Sequence, residues 1–397
     1  MEKNYEFKKA FKIGFVCIFS YIVSYVVRNL LSVATPEMLS SGKFTKEFIG
    51  TLSSLYFITY ALGQLVNGVI GDMVKPKIML GLGLVICGIA SILFGFTDIA
   101  IIQILLFIII GFSLSMLRGP LVKTISENTL PKYARVCCVF LSFASFAGPL
   151  VASFLSLVFN WQFTFIVSGV LSIGMGIFTY TALNIFEKKK IITVSFKEKE
   201  EKKSVWNVFK LEKFIYYMFI GALTEISLSS INFWIPTYLT ERLSYSEDTA
   251  KILFSAISLL KSFTPFISLY IFKLFKDKDV SMVKYCFVVA TLLFAGVLFI
   301  NQKYINVVLF LLTLMAVGTA STILWSVYIP SQSESKMVST INGVLDFTGY
   351  GFAACANFVF SFTMNHIGWN GIVVIWIALM ASGVVASVIQ QKKININ

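Results

Sequence analysis

Five ionisable side chains stand inside long apolar runs of this 397-residue chain: Arg28, Arg118, Glu225, Lys261 and Asp346. A charge at the centre of a bilayer costs about 2.5–3.5 kcal/mol on insertion scales, so such groups face a wet cavity or one another. Cations outnumber anions in this set, which suits an anionic ligand. Tyr21, Tyr25 and Arg28 fall at i, i+4 and i+7, one face of one helix. A guanidinium offers a planar fork to phosphate or carboxylate, and the phenols add hydroxyls and rings. The alternative for Arg28 is a permanent ion pair with Asp346 or Glu225.

The other charges leave two readings each. Arg118, after Ser113 and Ser115, either contacts the anion or snorkels to the cytoplasmic surface. Lys261 shares a polar stripe with Ser255, Ser258 and Thr264, and either binds the anion or neutralises Glu225. Low dielectric favours the neutral form of a carboxyl group, which makes Glu225 and Asp346 candidate proton carriers; fixed salt bridging is the alternative. Asp346 lies in line with Asn342 and Tyr350 at i−4 and i+4. A second stripe, Tyr56, Tyr60, Gln64 and Asn67, is polar and uncharged. The sequence holds no metal-ligand cluster, phosphate loop or nucleophile triad, so neither a cofactor nor an enzymatic reaction is expected. The single histidine, His366, receives no role.

Helices inside a membrane must position these residues. Hydrophobic residues make up 57% and charged residues 13% of the chain, against about 25% charged in soluble domains, and the mean hydropathy is +0.82. A spanning helix needs roughly 20 apolar residues. The pattern predicts about twelve spans, near 11–33, 48–70, 78–97, 101–123, 137–158, 163–185, 214–238, 251–272, 283–301, 305–328, 338–363 and 370–390. The first apolar run is too long for a cleavable signal peptide. The formal charge of +13 is placed as a membrane places it, and not as nucleic-acid binding would. Lys43, Lys46, Arg242, Lys251 and Lys303 fall at outer ends or loops and Arg28, Arg118 and Lys261 within spans; the remaining lysines and arginines fall at inner ends and loops. That bias predicts an inner-membrane protein with both termini cytoplasmic. The six cysteines lie in or at the ends of spans and read as packing residues without disulfides.

A polar stretch at 187–212, opening with Glu187-Lys188-Lys189-Lys190, reads as a cytoplasmic linker between bundles 1–186 and 213–397. The halves echo each other: Asn160-Trp161-Gln162-Phe163 precedes the sixth span and Ile367-Gly368-Trp369-Asn370 the twelfth. Two parallel six-helix repeats, with the substrate site near the midplane, constitute the major facilitator architecture.

Specific residues strengthen that reading. The connection after the second span, Gly68-Val69-Ile70-Gly71-Asp72-Met73-Val74-Lys75-Pro76-Lys77, resembles the loop signature of the major facilitator superfamily, with Met73 where an arginine is usual. The resemblance implies a cytoplasmic gate in which Asp72, reached through the turn at Gly68, pairs with a base such as Lys77. Within the superfamily, Tyr21-x3-Tyr25-x2-Arg28-Asn29 and Ala34-Thr35-Pro36 are similar to the organophosphate:phosphate antiporter family. So are Tyr60-Ala61-x-Gly63-Gln64-x2-Asn67-Gly68, Trp234-x-Pro236-Thr237-Tyr238, Gly349-Tyr350 and Gly368-Trp369. That family carries glycerol-3-phosphate and hexose phosphates, and includes receptors that sense hexose phosphates for a membrane kinase. The candidate substrate contacts are therefore Arg28, Tyr21, Tyr25, Gln64, Arg118, Lys261 and Tyr350, of which Arg28 is similar to the family's anion-binding arginine. The chain departs from the family at Leu228, where a second arginine is expected, at Glu225 for tyrosine, at Gln64 for lysine and at Ser145 for histidine.

The expectation is an alternating-access carrier of a small organic anion, first an organophosphate, acting as an antiporter with inorganic phosphate or a symporter with a proton. The alternatives are a transporter-like receptor for a phosphorylated metabolite and a proton-coupled carrier of a carboxylate or drug.

Overall fold

A computed structural model describes residues 2–193, 205–276, 278–300 and 302–396. The middle of the linker, 194–204, and the side chains of Pro36, Lys46, Lys251 and His366 lie outside the described residues. The described regular structure is helical, as a chain in lipid requires: each backbone N–H and C=O must be satisfied within its own segment.

The first half contributes α1 (Glu2–Ser40), α2 (Lys46–Met73), α3 (Pro76–Phe96), α4 (Ala100–Leu114), α5 (Arg118–Asn128), α6 (Pro131–Val158) and α7 (Trp161–Lys188). The second contributes α8 (Phe214–Glu241), α9 (Glu247–Lys261), α10 (Thr264–Leu274), α11 (Asp279–Phe299) and α12 (Lys303–Ile323). A π-helical turn, Leu324–Tyr328, and short turns then lead into α13 (Val338–Ile396). Among the described residues ten helices are long and apolar enough to cross a membrane, and eleven if the bent pair α9–α10 is one span. The remaining expected span, 338–363, is the first part of α13, where side chains 357–359 and 361–366 are not described. Gly368, at φ 62°, breaks α13 inside the expected outer connection; only glycine enters that region without strain.

Two expected spans are broken helices. The fourth divides at 115–117 between α4 and α5, and the eighth bends by 42° between α9 and α10. Pro120 and Pro265 follow the breaks. Each ring excludes the carbonyl four residues back, at Met116 and at Lys261.

Contacts divide the chain into two units, 1–208 with 329–347 and 209–328 with 348–397. The stretch 329–347, assigned from sequence to the second bundle, therefore packs with the first unit. In that unit α3 and α7 meet backbone to backbone: a Cβ on Gly88 would lie 2.5 Å from the carbonyl oxygen of Gly169, and one on Gly169 2.6 Å from that of Gly88. Small residues let helices approach this closely where no hydrophobic force drives them together. Hydrogen bonds between helices add to the packing, Ser20 Oγ to Thr179 Oγ1 at 2.7 Å and Asn67 Nδ2 to Ser115 Oγ at 2.7 Å. Trp161 heads α7 and seats its ring edge-on to Phe44 at 5.3 Å.

The second unit is held by Phe294, Phe310 and Trp376, whose indole N–H donates to Ser230 Oγ at 2.9 Å. Trp369, the counterpart of Trp161, sits edge-on to Tyr238 at 5.2 Å. Lys213 and the Tyr217 hydroxyl both donate to Asp279. Phe15, Phe19, Leu62, Phe154 and Leu157 are exposed on the first unit, large apolar side chains on the outside of helices long and apolar enough to cross a membrane.

Candidate substrate site and latch

Arg28 is half-buried on α1. Its guanidinium carbon lies 4.8 Å from the ring centre of Tyr60, 5.3 Å from that of Tyr25 and 5.8 Å from that of Phe57. Ring faces attract a cation through the ring quadrupole. Tyr21, buried, braces Tyr25 edge-on at 5.0 Å, and Tyr56 stacks on Tyr60 at 5.9 Å. The two polar stripes read from the sequence thus meet around one arginine.

Arg118 is the first residue of α5, at the break in the fourth span. It does not snorkel: its Nη1 lies 3.0 Å from Asp346 Oδ1, with Asp346 1% exposed. Asn342 Nδ2 donates to the other oxygen, Oδ2, at 2.7 Å. Both oxygens of Asp346 are therefore engaged, one of them by Arg118. Arg28 is close enough to Asp346 to interact with it electrostatically.

At the same level α2 crosses α13, where a Cβ on Gly343 would lie 2.3 Å from the carbonyl oxygen of Gln64. Two buried polar atoms at this crossing have no hydrogen-bond partner among the described residues: Gln64 Nε2, a donor, and Asn342 Oδ1, an acceptor. Buried polar atoms are normally paired, and unpaired ones are a place for a ligand group or water to bind.

Lys261 ends α9 at the break in the eighth span, where the last carbonyls of a helix favour a cation. Its Nζ donates to Asn232 Oδ1 at 3.0 Å, and it interacts electrostatically with Glu225. Glu225 packs its side chain on Gly349, where a Cβ would lie 2.9 Å from its Cγ. Tyr350 follows Gly349 in this second unit. Asn232 was not singled out from the sequence; its place one turn after Leu228 was the available signal. The proline positions that put Arg118 and Lys261 at helix breaks were a second signal passed over.

Asp72 ends α2 with its carboxylate on the first turn of α13. Oδ1 accepts from Ser339 N at 3.1 Å, and Oδ2 accepts from Thr340 N at 2.8 Å and Thr340 Oγ1 at 2.6 Å. These N–H groups have no partner inside the helix, and a carboxylate there also meets the positive end of the helix dipole. Gly68 permits the approach, since a Cβ there would lie 2.9 Å from Ser339 O. The cation expected beside Asp72 is not Lys77. Lys77 pairs with Glu187 and donates to Asn184 Oδ1 at 2.8 Å, and Lys75 also pairs with Glu187. Fully buried Lys123 takes that place, its Nζ 3.5 Å from Asp72 Oδ1 and donating to the carbonyls of Gly71 and Asp72. A base from α5 thus compensates for Met73.

The model of the Major Facilitator Superfamily matches residues 17–357. Residues of this chain are 29% identical over 160 positions to the membrane sensor protein UhpC of Salmonella typhimurium, covering 39% of this chain and 36% of that protein. The match thus spans little more than a third of the sensor. The phosphoglycerate transporter protein of the same organism is 23% identical over 385 residues, covering 88% of this chain and 82% of that one. Among solved structures, a bacterial homologue of the iron transporter ferroportin in an outward-facing state superposes with a TM-score of 0.77. It covers 96% of this chain and 99% of that one at 12% identity, a likeness of fold alone. The family match over most of the length, the helical architecture and the signature at Gly68–Lys77 agree: this chain belongs to the Major Facilitator Superfamily.

Proposed function

We propose that this chain carries a small organophosphate anion across the membrane by alternating access, in exchange for inorganic phosphate or together with a proton. The observation that carries the reading is Arg28 among Tyr25, Phe57 and Tyr60. A guanidinium presents parallel N–H donors at its edge, the geometry that binds two phosphate oxygens at once. The Arg118–Asp346 pair, Gln64 and the Tyr21–Tyr25 pair frame it. Gln64 Nε2 and Asn342 Oδ1 are suited to a substrate hydroxyl. Within the second unit, Lys261, held by Asn232, and Tyr350 are further candidates for the anion, and Glu225 is the group that couples to protons. Asp72 with Gly68 and Lys123 forms a latch that opens and closes during the cycle. The lysine distribution supports an orientation with both termini in the cytoplasm. Similarity to a phosphoglycerate transporter over most of both chains supports the substrate class.

A second reading, reception of a phosphorylated metabolite without transport, is favoured by the similarity to a membrane sensor. Both readings need Arg28 to bind phosphate. Arg28→Lys keeps the charge and loses the fork. The loss of one charge-assisted hydrogen bond costs about 1.5–3 kcal/mol, roughly 10- to 150-fold in Kd. Thermal stabilisation of the purified protein by phosphoglycerate, glycerol 3-phosphate and hexose phosphates measures it. Well-folded Arg28→Lys protein that binds its phosphate ester as tightly as wild type would remove Arg28 from the site.

A further inference from the structure

We infer that the cleft between α1 and α7 is a binding site for an anionic phospholipid, its acyl chain in the cleft and its headgroup on the lysines at one end. The cleft has a volume of about 400 Å³, and Phe11, Lys12 and Phe15 of α1 face Phe178, Ile185 and Phe186 of α7 across it. That volume is comparable to one acyl chain. Phe11 is 62% exposed and Phe15 44%, on the face that lipid must cover. Thr181, on the same wall, turns its hydroxyl onto the carbonyls of Ile177 and Phe178, which leaves the wall apolar.

The register of the two helices puts the charge at one end. Ser20 and Thr179 are hydrogen bonded at 2.7 Å. Eight residues back along α1 from Ser20 stands Lys12, and nine residues on along α7 from Thr179 stands Lys188. At 1.5 Å per residue both lysines lie roughly 12–14 Å from that hydrogen bond, towards the same end. Lys8 and Lys9 lie a turn further along α1, and Lys189 and Lys190 follow Lys188; Lys8, Lys12 and Lys188–Lys190 are exposed. Of the acidic residues at this end, Glu187 is paired with Lys75 and Lys77, and Glu6 lies six residues before Lys12. The net charge around the cleft mouth is strongly positive. Apolar walls at chain depth with lysines at headgroup depth match a phosphodiester lipid, and match neither a soluble phosphate nor a neutral lipid.

Native mass spectrometry of the delipidated protein, titrated with phosphatidylglycerol or phosphatidylcholine of identical chains, tests the site. Wild type should retain one tightly held phosphatidylglycerol in preference to phosphatidylcholine. A lysine near an anionic lipid surface contributes about 1 kcal/mol, so Lys12→Gln with Lys188→Gln should weaken that binding about 30-fold. Ala182→Trp, which fills the cleft without touching a charge, should also abolish it; Thr181→Trp serves if that variant is not monodisperse. Lys392→Gln with Lys393→Gln, at the other end of the sequence, should leave it unchanged. Equal affinity for the two lipids, or wild-type retention in either the lysine or the tryptophan variant, would overturn the site.

Discussion

Arg118 and Asp346 stand 228 residues apart, and their pairing gives Asp346 a fixed structural load. Protonating Asp346 would break a buried pair. Removing one partner of such a pair leaves an uncompensated charge and costs about 3–5 kcal/mol. Asp346→Asn is therefore expected to lower the melting temperature sharply, and the double change Arg118→Met with Asp346→Leu to recover most of the loss; a stable Asp346→Asn protein would contradict the pairing. Glu225→Gln is expected to abolish gradient-driven uptake while sparing exchange. Full pH-driven accumulation by Glu225→Gln would take Glu225 out of coupling. The residue types were legible in the sequence because charge inside an apolar run stands out. Their partners were not, since periodicity relates neighbours on one helix and says nothing of a contact between helices. Lys123 shows the limit: at the end of an expected span it read as one more cytoplasmic lysine, and it is buried against Asp72.

At the scale of elements, two glycines and a carboxylate bring the start of α13 onto α2. A Cβ at Gly343 would lie 2.3 Å from backbone that cannot yield as a side chain can. Overpacking of this kind costs about 1–3 kcal/mol. Gly343→Ala should therefore melt several degrees below wild type, whereas Gly351→Ala in the same helix, with no atom within 4 Å of the added carbon, should not. Equal melting temperatures for the two would mean that the crossing is looser than the structure has it. Helix positions were readable from hydropathy, and the glycine-rich signature marked the crossing. The breaks at Arg118 and Lys261 were written in Pro120 and Pro265. Hydropathy averages over a window as long as a span, so it passes over a break of three residues.

At the scale of the molecule, composition and hydropathy carried the fold class, and the family match and the helical architecture agree with it. The boundary of the units was less legible: 329–347 follows the linker in sequence and packs with the first unit, because chain order does not fix where a helix end docks. The proposed orientation predicts that cysteine at position 189 reacts with an impermeant reagent only from inside, and at position 303 only from outside, in a background lacking Cys355, which is exposed. Reaction at 189 from outside would invert the topology. Function is decided by transport itself. Proteoliposomes loaded with inorganic phosphate should take up a phosphate ester, such as phosphoglycerate or a hexose phosphate, and exclude its dephosphorylated counterpart, with Arg28→Gln proteoliposomes inactive. Binding of the ester without uptake, with or without internal phosphate or a pH gradient, would contradict carriage and leave a receptor.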